Sequence, residues 1–455
     1  MLHPIDEAYR AWSPKSCQMS LRACEVFPGG DTRASAHYDP YPLTMQKGEG
    51  CYLYDVDGHK ILDFMNNFTS MIHGHGNDKI TRAVSEQVAL GTAYAAPSEG
   101  QIELAELIVS RVASIDQIRF CSSGTEATLM AIRCARACTG KQKIMKMEGG
   151  YHGSYELAEV SLIPEPSLRG ELDRPNSLAI DGSFPDSVLS DTVVCPFNEP
   201  DMAKHLIDEY ADELAAVIVE PIMGSMGMIP ATKAFLETLK SVTSQHGILL
   251  IFDEVISLRL SGGGAQEIFE IEPDLTCMGK IIGGGLPIGA VGGKRQYMQI
   301  FDPSNPNKVF HASTFSGNAL TMAAGFAAMT LYSASEAKRL NLLGEKLKNG
   351  FNQAFQQSGI HGQATGLGSL VNLHFTDRDI NDSRDALSGM IDAGHFGRLL
   401  HLCMLKRGVM SASRLMFCVS SPMREEEINF AITALHESLA ELRPYIKAER
   451  PKLLA

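Results

Sequence analysis

The sequence predicts an α/β fold, in which a large domain holds a mostly parallel sheet of seven strands and a smaller α+β domain is built from both termini. Between about residues 115 and 330, short apolar segments alternate with helical segments, a pattern typical of βαβ units. After about residue 335 the pattern changes to long helices separated by alternating strands. At 455 residues the chain is also too long for one ordinary core, so two domains are expected.

Both termini contribute to the predicted small domain. Residues 1–70 form an N-terminal arm, helical and amphipathic up to about residue 26, and a first part of the small domain; residues 71–330 form the large domain, and 331–455 complete the small one. Residues 50–64 alternate around Asp57 and Gly58, the strongest short signal for a hairpin. The C-terminal part is interpreted as a helix at 335–357, a strand at 366–375, a helix at 397–406, a strand at 415–420 and a helix at 425–443.

Seven apolar segments form the predicted sheet, at 117–122, 143–147, 192–195, 215–220, 248–253, 275–278 and 290–293. Helices are predicted at 77–88, 101–112, 125–137, 200–210 and 233–245. Ligands of such sheets bind beyond the carboxyl ends of the strands, so the residues after each strand are the candidates for a site. The loop-like segment 164–185, rich in Pro, Ser and Gly, is interpreted as a flap over that site.

Composition and charge exclude several classes of partner. The formal net charge of −13 argues against nucleic acid, whose binding requires clustered Lys and Arg. The sequence has no apolar run of 18 residues and no secretory h-region, so we expect no membrane span and a cytoplasmic location. The ten cysteines include no CxxC pair and are expected to be reduced thiols of a cytosolic protein rather than metal ligands.

Two strand ends carry polar motifs beside small residues. The motif SSGTE at 122–126 follows the first strand and opens a helix, whose N-terminus presents N–H groups to an anion. A plain helix N-cap is the alternative for these residues, and only the neighbouring motifs favour a phosphate site. Tyr151 and His152 stand between glycines after the second strand, where an aromatic ring can lie flat on a planar cofactor.

Asp253 and Lys280 are the residues around which we interpret the site. Asp253 ends the fifth strand, where a carboxylate can pair with a protonated ring nitrogen, and Glu220 adds a carboxylate at the same edge. Lys280 follows the sixth strand near three glycines, and a desolvated amine forms a Schiff base with an aldehyde and then moves protons. An isolated Asp is usually a cap and an isolated Lys is usually solvated. Their combination favours an imine-forming cofactor, pyridoxal phosphate (PLP).

With these motifs the chain resembles the class III aminotransferases of PLP fold type I, particularly the branch that holds glutamate-1-semialdehyde aminomutase and the β-phenylalanine aminotransferases. The similarity runs from about Phe27 to Leu442. The matching segments are PGG at 28–30, GEGCYLYDVDGHKILDF at 48–64, SSGTEA at 122–127, GGYHG at 149–153, FDEV at 252–255, LTCMGKIIGGGLPIGAVGG at 275–293 and TFSGN at 314–318.

The resemblance implies a role for each motif. Lys280 would form an aldimine with PLP and move protons, and Asp253 would contact the ring nitrogen. Val255 would pack on the ring face opposite Tyr151. The other implied contacts are to the phosphate, from Ser123, Gly124, Thr125 and the partner subunit's Thr314, and near the ring, from His152 and Glu220. Such enzymes are homodimers with the active site at the interface.

The segments expected to select the substrate do not all resemble the same enzyme of this branch. After FDEV the aminomutase pattern usually continues with Gly-Phe-Arg, whereas this chain has ISLRL at 256–260. Arg33 and Arg414 resemble the two arginines with which β-phenylalanine aminotransferases bind carboxylates; a surface arginine is the alternative for each. The segment 91–98, in contrast, is closer to the aminomutases.

The sequence therefore predicts a PLP-dependent aminotransferase that moves an amino group from an aromatic or aliphatic β-amino acid to a 2-oxo acid by ping-pong half-reactions. A glutamate-1-semialdehyde 2,1-aminomutase, which needs no added acceptor, is the first alternative. A non-catalytic PLP-binding protein is the second, against which the presence of both Lys280 and Asp253 argues.

Overall fold

The computed structural model describes residues 3–455 of the chain. Contacts within the chain divide it into two units. The small unit comprises residues 3–77, 339–380 and 385–455, and the large unit comprises residues 78–338 together with 381–384. The domain limits at residues 70 and 330 stay a prediction from the sequence.

Capping residues and glycines mark the ends of several helices. Ser123 caps the longest helix of the large unit, and Gly140 follows its last residue with a left-handed backbone at φ 72°. In chain order the helices are α1 (Pro4–Trp12), α2 (Pro14–Cys24), α3 (Asn66–Thr69), α4 (Asp78–Leu90), α5 (Glu99–Val109), α6 (Gly124–Thr139), α7 (Glu156–Glu159), α8 (Asp186–Ser190), α9 (Pro200–Glu209), α10 (Lys233–His246), α11 (Ala265–Phe269), α12 (Arg295–Met298), α13 (Ala319–Leu331), α14 (Ala334–Ser358), α15 (Ser383–Ala393), α16 (Phe396–Lys406) and α17 (Glu425–Glu449).

The strands are short, as expected for a sheet whose segments are separated by helices. In chain order they are β1 (Met45–Glu49), β2 (Tyr52–Asp55), β3 (Lys60–Asp63), β4 (Gln117–Cys121), β5 (Lys143–Met147), β6 (Thr192–Cys195), β7 (Leu214–Val219), β8 (Ile222–Met223), β9 (Ile229–Pro230), β10 (Leu249–Asp253), β11 (Leu275–Gly279), β12 (Gly289–Gly293), β13 (Gln363–Leu367), β14 (Leu370–His374), β15 (Val409–Met410) and β16 (Met416–Cys418).

The large unit contains a seven-stranded sheet in the order β4-β12-β11-β10-β7-β5-β6. β10 runs parallel to β7 and β11, and β5 runs parallel to β6 and β7, whereas β12 runs antiparallel to β4 and β11. The prediction of a mostly parallel sheet of seven strands is confirmed. Each predicted strand matches the observed one within one residue at either end.

Apart from the edge strand β4, which is only partly buried, the strands of this sheet are buried on both faces, which is why the sequence shows them as apolar runs. Every residue of β7 and β10 is buried. α6 covers one face, where Ala131 and Cys134 lie in a cluster with Ile218 and Ile251. Because apolar side chains fill the strands, the polar residues that follow β4, β5, β7, β10 and β11 lie together at the carboxyl edge of the sheet.

The small unit joins both ends of the chain in one sheet. The predicted hairpin is formed by β2 and β3, which pair antiparallel, and β15 from the C-terminal region pairs with β3. The four strands follow the order β1-β2-β3-β15. The prediction that the smaller α+β domain is built from both termini is therefore confirmed.

Two predictions for the small unit were wrong in detail. The single strand at 366–375 is a hairpin of β13 and β14, because Gly368, at φ 55°, makes a tight turn between them. The last helix does not end at residue 443 but continues through Pro444 to Glu449, since Ile446 on its apolar face is buried. The N-terminal arm is helical, as predicted, and consists of two helices, α1 and α2, with a break at Ser13.

Two observations concern the described chain as a whole. None of the helices in residues 3–455 combines the length and the apolar character that crossing a bilayer requires. All ten cysteines are free thiols, and seven of them are buried. They are therefore core or helix residues, as the sequence predicts, and no disulfide framework is present.

Candidate active site

Three acidic residues stand at the carboxyl ends of neighbouring strands: Glu148 after β5, Glu220 after β7 and Asp253 at the end of β10. Glu220 holds the turn that follows β5, since its Oε1 accepts the N–H of Tyr151 at 3.0 Å. Its Oε2 accepts the N–H of Gly224, also at 3.0 Å. Burial raises the pKa of Glu220, and these two donors oppose that rise.

His152 and Asp253 form a buried contact at this edge of the sheet. Nδ1 of His152 lies 2.9 Å from Oδ2 of Asp253. Since a carboxylate only accepts, the ring donates through Nδ1, and its Nε2 is buried without a hydrogen-bond partner among the described residues. The other carboxylate oxygen accepts the N–H of Val255 at 3.1 Å. These two bonds orient Asp253.

The turn at 149–153 packs against the first turns of α6. Thr128 donates its hydroxyl to the carbonyl of His152, and the N–H of Ser154 donates to Oγ1 of Thr125 at 3.3 Å. Gly153, at φ 117°, approaches so closely that a Cβ there would lie 2.7 Å from Cα of Thr125. The contact requires glycine at position 153, and it brings two of the predicted motifs side by side.

Lys280 is brought to the same place by the packing of two glycines on Val255. A Cβ on Gly124 would lie 3.2 Å from both methyl carbons of Val255, and a Cβ on Gly279 would lie 3.4 Å from one of them. Lys280 directly follows Gly279, is partly buried and has a left-handed backbone at φ 49°. Non-glycine residues seldom adopt this conformation, and many that do lie in functional sites.

The hydroxyl of Ser123 acts as the helix cap that was the alternative to a phosphate site. It accepts the N–H of Glu126 at 3.1 Å. Oε2 of Glu126 in turn accepts the N–H of Ser122 at 2.6 Å. A capped helix still directs the N–H groups of its first turn outwards, so capping and anion binding are compatible at this end of α6.

The chain matches the family model "Aminotransferase class-III" over residues 33–411. It belongs to the class III aminotransferases. This makes it a PLP-dependent enzyme, as predicted, and not the non-catalytic protein that was the last alternative.

Relatives of this aminotransferase cover nearly all of the chain. The glutamate-1-semialdehyde 2,1-aminomutase of Methanosphaera stadtmanae is 36% identical over 431 residues, which are 94% of this chain and 99% of that one. Among solved structures, an omega-transaminase from Sphaerobacter thermophilus is 43% identical with a TM-score of 0.90, over 94% of this chain and 98% of that one. A β-phenylalanine aminotransferase from Variovorax paradoxus is 34% identical with a TM-score of 0.87, over 97% of both. The match confirms fold type I.

The cofactor of the aminotransferase is PLP, and a further solved relative is a transaminase with PLP bound. The residues at the carboxyl edge of the sheet fit such a group. They offer a helix N-terminus for a phosphate, a buried carboxylate for a ring nitrogen and an amine for an aldehyde. The close approaches at Gly124 and Gly153 bring the elements that carry these groups within reach of one another.

Thr314 is placed differently from the other predicted phosphate residues. It lies on an exposed turn that lines an open groove of about 1210 Å³ in the large unit. Its neighbour Ser313 approaches Ser122, with 3.3 Å between the two hydroxyl oxygens. Within the described residues Thr314 makes no hydrogen bond to residues 123–125, so its contact with the phosphate of a partner subunit stays a prediction.

Arg33 and Arg414 of the aminotransferase lie on the same aromatic ring in the small unit. Their guanidinium carbons are 5.8 and 5.9 Å from the ring centroid of Phe68. Arg33 is exposed and donates from Nη1 to Oδ1 of Asn67 at 2.8 Å. The two predicted substrate residues, 381 positions apart in sequence, are therefore brought together.

The segment that carries Phe68 has a backbone that the sequence analysis missed. Asn66, Asn67, Phe68 and Thr69 all have φ between 46° and 74°, so α3 is a left-handed turn. Such a conformation costs about 1–2 kcal/mol for each residue with a Cβ. The adjacent asparagines were the only local signal, because Asn tolerates positive φ better than other side chains. Strain of this kind often accompanies a functional site.

One group of potential metal ligands occurs among residues 3–455, in the small unit. Nε2 of His395 lies 3.1 Å from Glu449, and Nε2 of His3 lies 3.7 Å from the same carboxylate. Nδ1 of His3, however, accepts the N–H of Ile5 at the start of α1. A metal on Nε2 would require a proton on Nδ1 and would break this cap, so we assign no metal role to the group.

Proposed function

We propose that the enzyme moves an amino group from a β-amino acid, aromatic or aliphatic, to a 2-oxo acid in two ping-pong half-reactions. The observation that carries this proposal is the placement of Arg33 and Arg414 on the ring of Phe68. Donor and acceptor both carry a carboxylate, and guanidinium groups bind carboxylates in a bidentate manner. The Variovorax paradoxus relative, named for a β-amino acid, supports this donor class.

At the cofactor, each strand end supplies one function. PLP, when bound, supplies an electron sink that stabilises charge on the amino-bearing carbon of the substrate. Lys280 binds the cofactor through its amine and then moves a proton at that carbon. Asp253 keeps the ring nitrogen protonated, and Tyr151 and Val255 hold the two faces of the ring. The burial of Asp253, which is 6% exposed, supports this role because burial strengthens its attraction to a cation.

The phosphate and the outer contacts of the ring complete the proposed site. Ser123, Gly124 and Thr125 present the N-terminus of α6 to the phosphate. His152 orients Asp253 by a hydrogen bond from Nδ1. Glu220 orients Tyr151 by accepting the backbone N–H of Tyr151.

The second candidate is a glutamate-1-semialdehyde 2,1-aminomutase, which the 36% identical relative from Methanosphaera stadtmanae supports. The same Lys280 and Asp253 would serve it, so the cofactor site does not separate the two reactions. They differ in whether a second substrate is needed. ISLRL at 256–260, where the aminomutase pattern has Gly-Phe-Arg, favours the aminotransferase.

The experiment that decides between the two is a donor panel. The purified enzyme is offered β-phenylalanine, an aliphatic β-amino acid, an α-amino acid and glutamate-1-semialdehyde, while the visible absorbance of its cofactor is followed. We expect conversion by β-amino acids and product formation only with 2-oxoglutarate or pyruvate present. Isomerisation of glutamate-1-semialdehyde without an acceptor, together with no response to any β-amino acid, would overturn the proposal. In Lys280→Ala the visible band should be absent.

We also infer a homodimer with shared active sites, in the cytoplasm. Large apolar side chains of the large unit are exposed, with Leu90, Phe310 and Phe315 at least 60% accessible. Exposed apolar surface is typical of a protein interface, and a second copy would cover it. The free cysteines suit a reducing compartment.

Mixing two inactive variants tests the sharing of sites. If the phosphate needs the partner subunit's Thr314, then Lys280→Ala and Thr314→Asp homodimers are both inactive. A heterodimer of the two contains one site with an intact Lys280 and an intact Thr314, so activity should return after subunit exchange. If no activity returns although heterodimers form, the shared site is wrong. A monomer at micromolar concentration in sedimentation velocity would also contradict it.

A further inference from the structure

Residues Asn381–Arg384, here called the strap, belong to the large unit although the chain on either side belongs to the small one. The carbonyl of Asn381 accepts from the side chain of Asn198 at 2.8 Å. Ser383 is buried against the turn that follows β5, since a Cβ on Gly149 would lie 2.3 Å from its Cβ. The strap is therefore seated directly on the turn that precedes Tyr151.

Arg384, at the end of the strap, joins two segments of the large unit. Its Nε donates to Oε2 of Glu148 at 2.9 Å. Its Nη1 and Nη2 donate to the carbonyls of Gly170 and Glu171 at 3.2 and 3.3 Å, in the predicted flap. Glu148 is 1% exposed, and its Oε1 is buried without a partner in the described chain. Arg384 is therefore the group that compensates the buried charge of Glu148 through a hydrogen bond.

Glu148 is the first residue of the turn that carries Tyr151 and His152. Its N–H donates to the carbonyl of Cys195 at 2.8 Å, so the strand direction is kept up to this residue. Gly149 follows with a left-handed backbone at φ 82°, and the turn reverses the chain there. Its far end is held by Glu220 and Asp253 through the contacts described above. Arg384 thus holds the near end of the same turn.

The pair of Glu148 and Arg384 lies among buried charges, so the loss of either residue should disturb the turn. Burial raises the pKa of Glu148, and Arg384 opposes that rise. Lys146, two residues earlier in β5, is fully buried, and burial lowers its pKa to about 7, against the attraction of Glu220 and Glu148. Without Arg384, Glu148 would lose the hydrogen bond that favours its ionised form and would have to shift or take up a proton.

We infer that Arg384 is a positioning residue for the cofactor: it holds Glu148, and through Glu148 it holds the turn that places Tyr151 and His152. The inference rests on the proposed contact of Tyr151 with the PLP ring. Arg384 itself touches neither cofactor nor substrate in this assignment.

The test compares Arg384→Gln with the wild type as holoenzymes. The visible circular dichroism of bound PLP reports the asymmetry of the ring surroundings, and the release of PLP during dialysis reports its retention. We expect a smaller dichroic band and about tenfold faster release, the order expected for the loss of a charge-assisted hydrogen bond. Arg174→Gln is the matched control, since Arg174 belongs to the same flap but pairs with exposed Glu209.

Two further variants test the same contact if Arg384→Gln fails to fold. Glu148→Gln leaves Arg384 in place and should reproduce the smaller band and the faster release. Arg384→Lys keeps the charge and should restore part of both. A contrary result is that the Gln variants that fold keep the dichroic band and the PLP release rate of the wild type and differ from it only in a lower melting temperature. That result would show a purely structural role and overturn the inference. Tyr151→Ala is measured in parallel: an unchanged band there would contradict the proposed ring contact, so the two failures are distinguishable.

Discussion

Asp253 and Glu254 are adjacent at the end of β10, but their carboxylates bind different parts of the molecule. Asp253 accepts from His152 at the carboxyl edge of the sheet. Glu254 is fully buried and accepts the N–H groups of Ala265 and Gln266, at 2.8 Å each. The carboxylate of Asp253 therefore lies at the edge of the sheet where we propose the cofactor, while that of Glu254 holds the loop at 256–266 in place.

Substitutions at these two positions should affect different properties: activity at Asp253 and stability at Glu254. Asp253→Asn is expected to lower kcat by about 100-fold, because it removes the charge that stabilises a protonated ring. Its loss of stability is expected to be smaller than that of Glu254→Gln, because the amide oxygen can still accept the N–H of Val255 and His152 can change tautomer to accept from the amide. Glu254→Gln is expected to lower the free energy of unfolding by about 2 kcal/mol, because an amide meets N–H donors that need an acceptor. Steady-state kinetics and urea unfolding of both variants check this. Equal losses of activity and stability in the two variants would contradict the division.

Arg33→Gln and Arg414→Gln are each expected to raise the KM of a β-amino acid about 10- to 100-fold, the size of a lost charge-assisted hydrogen bond. The same variants should treat the corresponding amine without a carboxylate as the wild type does. Arg378→Gln is the control, since exposed Arg378 pairs with Asp392 in the same unit. If the two variants slow the amine and the amino acid equally, the arginines do not bind the carboxylate.

In the left-handed turn of α3 we expect a glycine variant to be more stable than an alanine variant, the reverse of the usual order in a helix. Both Phe68→Gly and Phe68→Ala remove the ring, but at φ 54° glycine relieves the strain and alanine keeps it. We expect the glycine variant to be more stable by about 1 kcal/mol, as measured by urea unfolding. The same pair of substitutions at exposed Leu342 in α14 should show the ordinary order, with alanine more stable. The ordinary order at both positions would argue against strain at Phe68.

His401 should make the small unit sensitive to acid. It is fully buried in α16, with Nδ1 3.2 Å from the hydroxyl of Ser411 and with the ring of Tyr38 against it. Burial lowers the pKa of His401 to about 3, from the ordinary value of 6.5. Between these values the unfolded chain binds the proton and the folded one does not, so stability falls as the pH falls below 6.5 and levels off near 3.

The loss attributable to His401 is about 2 kcal/mol between pH 7 and pH 5. His401→Gln should lose that much less over the same range, as measured by urea unfolding at both pH values. His436 is exposed in α17, and His436→Gln should keep the wild-type dependence. If His401→Gln loses as much unfolding free energy between pH 7 and pH 5 as the wild type, other groups cause the loss.

The strand ends could be predicted because most of the buried strands end at, or are directly followed by, a polar residue or a glycine. Asp253, Glu220 and Lys280 were found in this way, without any knowledge of three-dimensional contacts. The hairpin at 363–374 was missed because its turn, Gly368 and Ser369, is only two residues long and stands between Leu367 and Leu370, so the apolar pattern resumes directly after it. The pattern there is consistent with one strand or two, and only the positive φ of Gly368 separates them.

Other features lie beyond local patterns. Arg384 and Glu148 are 236 positions apart, and nothing in the composition of the strap indicates that it joins the large unit. The positive φ of Asn66 and Asn67 is compatible with their side chains, but Phe68 and Thr69 adopt it only because the folded chain around them imposes it. A single sequence contains no signal for either.

The strap has a consequence for the order of events during synthesis. A ribosome completes residues 78–338 well before it reaches residue 384. Until Arg384 emerges, Glu148 would be buried with one oxygen unpartnered and the other without its guanidinium. Domains generally fold as units during translation, N-terminal ones first. In this chain the larger unit would therefore lack the hydrogen-bond partner of Glu148 until a segment is made when most of the protein already exists.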